Sequence, residues 1–269
     1  EVSKKETFRP GKRNRGTMET NTRVAIIGYG FVGKATARLL GLLDEKFDIQ
    51  IHDPEKDYVI EDWKGIQYAF ICVPTNLKDD KLDVSIIDNI LSTLYVGVIP
   101  VIRSTIGPDQ CLTYAKKGCI IMPEFLREKH WKEDVDDPQI DIIIGHRNHD
   151  DFVDLMSRGP KFVKPVTPIE ASAMKLLRNA ALAVKVGLAN EFKNICDGLD
   201  IPYDNLQDFL EADPNLGGTH WSVPGPDGKY GFGGTCLPKD LTHASSLCYN
   251  ANNIMKVALK ANKSRRNNE

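Results

Sequence analysis

The sequence lacks most of what would take it out of the ordinary globular class. Its formal net charge is −2, from 35 Lys and Arg against 37 Asp and Glu, so overall charge favours neither nucleic acid nor an anionic membrane as partner. No apolar run has the length of a membrane span, no secretory leader is recognisable, and no internal repeat is visible. Cysteine is sparse, at positions 72, 111, 119, 196, 236 and 248. None forms a CxxC pair or stands at zinc-like spacing from histidine, which excludes a disulfide scaffold and a zinc module and predicts no metal. These absences point to a reduced, cytoplasmic setting.

What is present fits a chain with a real core. At 269 residues and 41% apolar content, it can build one large domain or two smaller ones. The ends differ from the middle. Lys4, Lys5, Arg9, Lys12, Arg13 and Arg15 make the start basic, and Lys263, Arg265 and Arg266 do the same near the end. Neither stretch has apolar periodicity, which predicts disordered tails over 1–21 and 262–269. The chain begins at Glu1, and Met18 is a candidate start.

Between the tails, strands and helices alternate. Arg23–Gly28, Asp48–His52, Tyr68–Val73, Val98–Ile102, Cys119–Met122 and Asp141–Gly145 read as strands, with helical spacing over Phe31–Leu43 and near Val84–Leu94. This predicts an α/β fold, a doubly wound parallel sheet covered on both faces, over 22–166. The pattern then changes. Pro168 to Asp197 reads as one helix carrying Met174, Leu177, Ala181, Val184, Leu188 and Phe192, with Gly187 its weak point. Thirty residues span roughly 45 Å at about 1.5 Å per residue, more than one small domain covers, so a homodimer built on this helix is expected. A helix near Tyr203–Leu210, a Gly/Pro-rich loop from Asp213 to Gly234 and a final helix from Leu237 onward complete a helical domain over 167–261.

Two motifs carry chemistry. Gly28-Tyr29-Gly30-Phe31-Val32-Gly33 lies between a strand and a helix. The first glycine permits the turn, the second lets backbone approach a pyrophosphate, and the third lets helix and strand pack closely. Asp53, ending the next strand, suits a ribose diol and favours NAD over NADP. The second motif is Gly231-Phe232-Gly233-Gly234-Thr235-Cys236-Leu237-Pro238-Lys239-Asp240. Pro238 suits the first turn of a helix, which puts Cys236 at a helix N-terminus, where free N–H groups favour a thiolate. Asp240, one turn on, faces the same way. Cys72, Cys196 and Cys248 sit in apolar contexts and read as structural.

These segments resemble the UDP-glucose/GDP-mannose dehydrogenase family from about residue 23 to 260. The cysteine loop matches the family's GFGGxCxxKD. Val73-Pro74-Thr75 resembles its VPTP element with Asn76 following, and Ser104-Thr105 its S-T segment. Pro123-Glu124-Phe125-Leu126-Arg127-Glu128 resembles its PEFLREG, with Lys129 where glycine is usual. Lys175 and Asn179 match its KxxxN, and Asn190-Glu191 its NE pair. Three departures stand out. Ser172 occupies a position where glutamate is common, and Asn215-Leu216 stands for an Arg-Ile pair. The chain also ends soon after its final helix, where the family continues into a further nucleotide-contacting domain, so looser nucleotide binding is expected.

The resemblance implies NAD-dependent oxidation of the sugar C6 alcohol of a nucleotide-sugar such as UDP-glucose, through aldehyde, to a carboxylate. Cys236 would be the nucleophile, Lys175 and Asn179 the oxyanion donors, Asp240 and Glu128 the handlers of water and protons, and Thr105 would help place the water. The cofactor would lie on Gly28, Gly30, Phe31, Val32, Gly33, Asp53, Val73, Pro74, Thr75, Ser104, Thr105 and Glu128. The sugar end would lie on Phe125, Leu126, Arg127, Lys175, Asn179 and Gly231 to Gly234. Glu124 could instead cap a helix. Two alternatives stay open: a single-step hydroxyacid-type NAD(P) dehydrogenase, and a catalytically silent nucleotide-sugar or NAD binding protein.

Overall fold

The computed structural model describes residues 22–267 apart from 44, 138, 139, 160, 161 and 251. The expectation about the N-terminal tail lies outside these residues. The chain runs β1 (Thr22–Ile27), α1 (Phe31–Gly41), β2 (Phe47–His52), β3 (Tyr68–Ile71), a small hairpin β4 (Leu77–Lys78) and β5 (Lys81–Leu82), α2 (Ser85–Thr93), β6 (Ile99–Ile102), α3 (Pro108–Lys116), β7 (Ile120–Ile121), α4 (Trp131–Asp136), β8 (Ile142–Gly145), α5 (Asp150–Met156) and β9 (Val163–Val166). The helical part follows as α6 (Pro168–Gly198), α7 (Tyr203–Ala212), α8 (Leu237–Ser246) and α9 (Ile254–Asn267).

Seven strands form one sheet in the order β2-β1-β3-β6-β7-β8-β9. Alternation along β1 shows how it is covered. Val24 and Ile26 enter a core with Leu40, Phe70, Phe152 and Met156, while Ala25 and Ile27 enter another with Ile71, Ile87, Ile102 and Ile121. Side chains at successive positions face opposite ways, so both faces of the strand are buried. Each Leu, Ile or Phe so buried contributes roughly 1.5–3 kcal/mol. Chain order reverses direction between β1 and β3, and ligands bind such sheets in the crevice beyond the strand ends at that point.

One strand pair departs from the expected all-parallel sheet: β8 runs antiparallel to β7. Only α4, six residues long, lies between them as regular helix. It covers about 9 Å, too little to return the chain to the far end of the sheet, so β8 enters from the end at which β7 left.

The long helix α6 starts where the sequence contains a full set of start signals. Thr167 and Glu170 exchange capping hydrogen bonds, and Pro168 sits in the first turn. Its buried stripe is Ala171, Leu176, Ala180, Ala183, Val186 and Ala189. Of the apolar residues read on it, Met174, Val184 and Phe192 are partly buried and pack against the cores, while Leu177 and Leu188 are exposed.

Two further corrections concern the C-terminal part. The expected single helix from Leu237 is broken after Ser246, because Asn253 starts a new helix by accepting from the Lys256 N–H at 3.1 Å, while Asn250 accepts from the Asn252 N–H at 2.9 Å. Residues 262–267, expected to be a disordered tail, are the last turns of α9. Polar anchors hold that end: Arg265 pairs with Glu191 at 2.5 Å and Arg266 with Asp227 at 2.7 Å. Among the described residues no helix is long and apolar enough to cross a membrane.

Candidate active site

The turn after β1 is built by sterics. Gly28 adopts φ +85°, and a Cβ there would stand 2.9 Å from the Cys72 carbonyl oxygen. A Cβ on Gly33 would stand 2.2 Å from the Gly28 carbonyl oxygen. Gly30, the residue before α1, faces open space, and no side chain caps the helix. The first-turn N–H groups of α1, including those of Phe31 and Val32, therefore face an unobstructed approach. An uncapped helix start beside open glycine backbone is the arrangement that receives a pyrophosphate, so these residues fit a dinucleotide.

The neighbouring loops end on the same edge. The Ser104 hydroxyl donates to the Val73 carbonyl at 2.7 Å, and the Thr75 hydroxyl donates to the Thr105 carbonyl at 2.8 Å. These bonds tie the ends of β3 and β6 together, with Pro74 exposed between them. Asp53 is buried and accepts from the Tyr29 N–H at 2.8 Å. It also pairs with Lys56 at 2.5 Å, a cation that the sequence reading did not weigh. The Lys56 hydrogen bond and the Tyr29 N–H hold the Asp53 carboxyl below its usual range despite burial.

The second group of residues converges from α6, α8 and the segment after β7. Lys175 and Asn179, one turn apart on α6, are both buried. Asn179 donates to Asp240 at 2.7 Å, and Lys239 donates to the other Asp240 oxygen at 2.7 Å. Lys175 pairs with Glu124 at 2.8 Å, both side chains being at most 5% exposed. Burial alone would raise the Glu124 pKa. The Lys175 charge and hydrogen bond, the Leu126 N–H and the Arg103 charge bring it below its usual range instead. Glu124 is thus the charge partner of Lys175, a function that the helix-cap alternative passed over. It lies 51 residues away in sequence, beyond the reach of any local pattern.

Cys236 is the half-buried residue that starts α8. Its thiol is within reach of the charges of Lys175, Lys239 and Asp240. The expected thiolate is corrected here: burial pushes the thiol up, Asp240 adds to the rise, and Thr235, Lys175 and Lys239 only partly oppose it. No side-chain capping bond forms at Cys236, so the α8 N–H groups do not stabilise the sulfur by hydrogen bonds.

The loop before Cys236 is held from two sides. Asn190 of α6 accepts from the Gly231 N–H at 2.8 Å. Asn262 of α9 accepts from the Phe232 N–H at 2.8 Å and donates to the Phe232 carbonyl at 2.9 Å. The Phe232 ring is buried, and Gly233 and Gly234 follow toward the surface. Arg266 lies so close to Gly233 that a Cβ there would stand 2.4 Å from its guanidinium. Asn190 and Glu191, read only as a motif match, are therefore loop and helix anchors.

Phe125 and Leu126 line a cavity with Arg127. The Lys175 ammonium and Arg178 guanidinium both lie over the Phe125 ring, at 5.8 Å and 5.7 Å from its centre. Glu128 stands exposed in a short 3₁₀ turn, and the structure does not bring it into the buried group. Ser172, buried, donates to the Ile106 carbonyl at 2.7 Å. Among the described residues no group of three or more His, Cys, Asp or Glu could hold a metal ion.

Residues 169–266 match the UDP-glucose/GDP-mannose dehydrogenase family, central domain. The chain is 28% identical over 265 residues to a UDP-glucose 6-dehydrogenase of Rickettsia bellii, covering 87% of this chain and 59% of that protein. It is 31% identical over 229 residues to the enzyme of that name in Rickettsia felis, covering 76% and 49%. The chain thus spans about half to three-fifths of the length of these relatives. A UDP-glucose dehydrogenase from Pyrobaculum islandicum shares the fold, with a TM-score of 0.76 at 20% identity over 94% of this chain and 70% of that one.

Proposed function

From the premise that residues 169–266 belong to the UDP-glucose/GDP-mannose dehydrogenase family, we propose that this chain oxidises the C6 alcohol of a nucleotide-sugar, UDP-glucose first among candidates, to a carboxylate. The observation that carries this reading is that the Lys175 and Asp240 charges act on the Cys236 thiol while Asn179, one turn from Lys175, is bonded to Asp240. NAD, held at Gly28 to Gly33, Asp53, Val73 to Thr75 and Ser104-Thr105, would supply the hydride acceptor, once for each oxidation.

The chain's own residues do the rest. An aldehyde has no hydroxyl on its carbonyl carbon. When the Cys236 sulfur adds to that carbon, a C–S bond forms and the carbonyl oxygen becomes a hydroxyl, so a second oxidation becomes possible. Lys175 and Asn179 donate to the oxygen as it gains charge, in a buried site where such donors act strongly. The resting thiol is neutral, so its proton must leave before attack. Asp240 is the carboxylate whose charge acts on it and receives that proton. Oxidation of the adduct leaves a thioester. Water, positioned near Thr105, then breaks the C–S bond, releasing the acid and regenerating the thiol.

Counting NADH formed per nucleotide-sugar consumed tests the reading. Two are expected, and Cys236→Ser should lose acid production by roughly a thousandfold or more, because a serine hydroxyl is far less ionised and less nucleophilic. One NADH from a hydroxyacid, or wild-type acid production by the serine variant, would remove it. The exposed Leu177, Leu188 and Ile195 on α6 support a homodimer through that helix, and a monomer at micromolar concentration in light scattering would refute this part.

A further inference from the structure

We propose that Arg178 and His220, together with Arg127, form an anion subsite for the diphosphate of a nucleotide, at the cavity beside Phe125. The cavity has a volume of about 340 Å³ and is lined by Arg103, Glu124, Arg127, Asp134, Arg178 and His220, among others. That is within the range of small-molecule sites.

Three arginines face three carboxylates there, Arg103, Arg127 and Arg178 against Glu124, Asp134 and Asp141, but they are not evenly paired. Glu124 is engaged by Lys175. Asp134 is engaged by Arg127 through several bonds, the shortest 2.6 Å. Arg178 has no carboxylate within ion-pair distance among the described residues. Among the described residues its one hydrogen bond is a long 3.4 Å contact from Nη1 to the Asn179 side-chain oxygen. The Arg178 residue is half-buried, and its guanidinium lies 5.7 Å from the centre of the Phe125 ring. Arg103, buried deeper, hydrogen-bonds among the described residues to neutral acceptors, Thr36 and the Met122 carbonyl, while its charge acts on Glu124. Asp141, also on the lining, is exposed at the rim, where water screens it.

His220 adds an independent observation. It adopts φ +69°, left-handed backbone that a non-glycine residue keeps only when its surroundings impose it. Those surroundings are visible. Its neighbour Trp221 is buried, stacks on Phe192, donates to the Gly217 carbonyl at 3.0 Å and has its own carbonyl bound by the Tyr203 hydroxyl at 2.6 Å. The ring therefore stands in the field of Arg178, Lys185 and Arg127, which together with burial disfavours its protonation. Arg178 faces the charges of Glu124 and Asp134 but makes no ion pair with either among the described residues, and a fork-shaped donor set left so suits an anion with several oxygens. Naming a nucleotide as ligand rests on the function proposed above; the anion subsite itself does not.

Calorimetric titration of the full chain with inorganic pyrophosphate, UDP and uridine tests the subsite. Arg178→Gln keeps the stem over Phe125 and removes the charge. It should weaken pyrophosphate and UDP about tenfold or more, leave uridine unchanged, and be partly rescued in Arg178→Lys. His220→Gly, which suits the left-handed backbone, should weaken both phosphorylated ligands by a smaller factor. A melting curve for each variant separates lost binding from lost fold, and the lysine variant carries the test should the glutamine variant not fold. Wild-type affinities for pyrophosphate and UDP in folded Arg178→Gln, or no pyrophosphate binding by the unaltered chain, would overturn the proposal. Pyrophosphate binding that depends on Arg178, in a chain making no NADH from any nucleotide-sugar, would leave the subsite standing and remove only the proposed function.

Discussion

The two glycine loops use the same residue against different neighbours. In the turn after β1, the atoms that forbid a side chain are backbone: the Gly28 carbonyl 2.2 Å from a Cβ on Gly33, and the Cys72 carbonyl 2.9 Å from one on Gly28. In the loop before Cys236 they are side chains from another helix, Asn262 at 2.3 Å from a Cβ on Gly231 and Arg266 at 2.4 Å from one on Gly233. The first loop is a wall made by a strand, its own turn and the next strand. The second is a clamp whose jaws, α6 and α9, are distant in sequence. A wall cannot yield, whereas a clamp can be loosened one bond at a time.

The largest effect is expected where the wall is tested. Gly33→Ala puts a methyl group into a carbonyl oxygen that neither α1 nor β1 can withdraw. It should cost about 1–3 kcal/mol or more, read as a lower urea midpoint, with loss of NADH binding by fluorescence. An unchanged midpoint with intact NADH binding would show that the turn gives way, and the contrast between the loops would fail.

The clamp should respond more selectively. Asn262→Ala removes both bonds to the Phe232 backbone and leaves a half-buried N–H and carbonyl without partners. The expected loss is about 1–3 kcal/mol, smaller than for Gly33 because water can reach part of the site. NADH binding should be kept while turnover falls, since the defect lies near Cys236. Equal losses of NADH binding in both variants would mean that the two loops are not separable.

The same contrast explains what was legible in the sequence. The glycine turn could be read because each of its constraints acts within a few residues or between adjacent strands. So could α6, whose capping residues Thr167 and Glu170 lie three apart. The buried pair Lys175–Glu124 could not be read, nor could the anchors Asn190 and Asn262, 41 and 30 residues from their partners. The error over α9 has the same origin. Lys263, Arg265 and Arg266 make its end look like a tail because that end is held by polar side chains. On α6 small residues, Ala171, Ala180, Ala183 and Ala189, face the core while Leu177 and Leu188 face out, so the buried stripe cannot be read from the large apolar residues alone.

Each loop also has its own cysteine, and the smallest expected effect compares them with the fold left intact. Cys72 lies under the glycine turn, buried, hydrogen-bonded with Thr36 at 3.6 Å, with its pKa pushed up to about 11 by burial. Cys236 is half-buried at the mouth of the clamp, its pKa raised as well, but opposed by Lys175 and Lys239. Alkylation by iodoacetamide proceeds through the thiolate and requires access. Both thiols are neutral near pH 7, so labelling should accelerate as pH rises toward each raised pKa, and it should not already be at a plateau near neutrality. Cys236 should react first at every pH, by about tenfold or more, because access separates the two before ionisation does. Asn262→Ala should speed labelling of Cys236 and leave Cys72 unchanged, whereas Gly33→Ala should expose Cys72. Mass spectrometry of partially labelled protein gives the order. A Cys236 rate that is flat from pH 6 to 8 would mean that the resting residue is already a thiolate, and Asp240 would then have no proton to receive from it. Equal labelling of both cysteines in the unaltered protein would mean that the wall under the first loop opens as readily as the clamp.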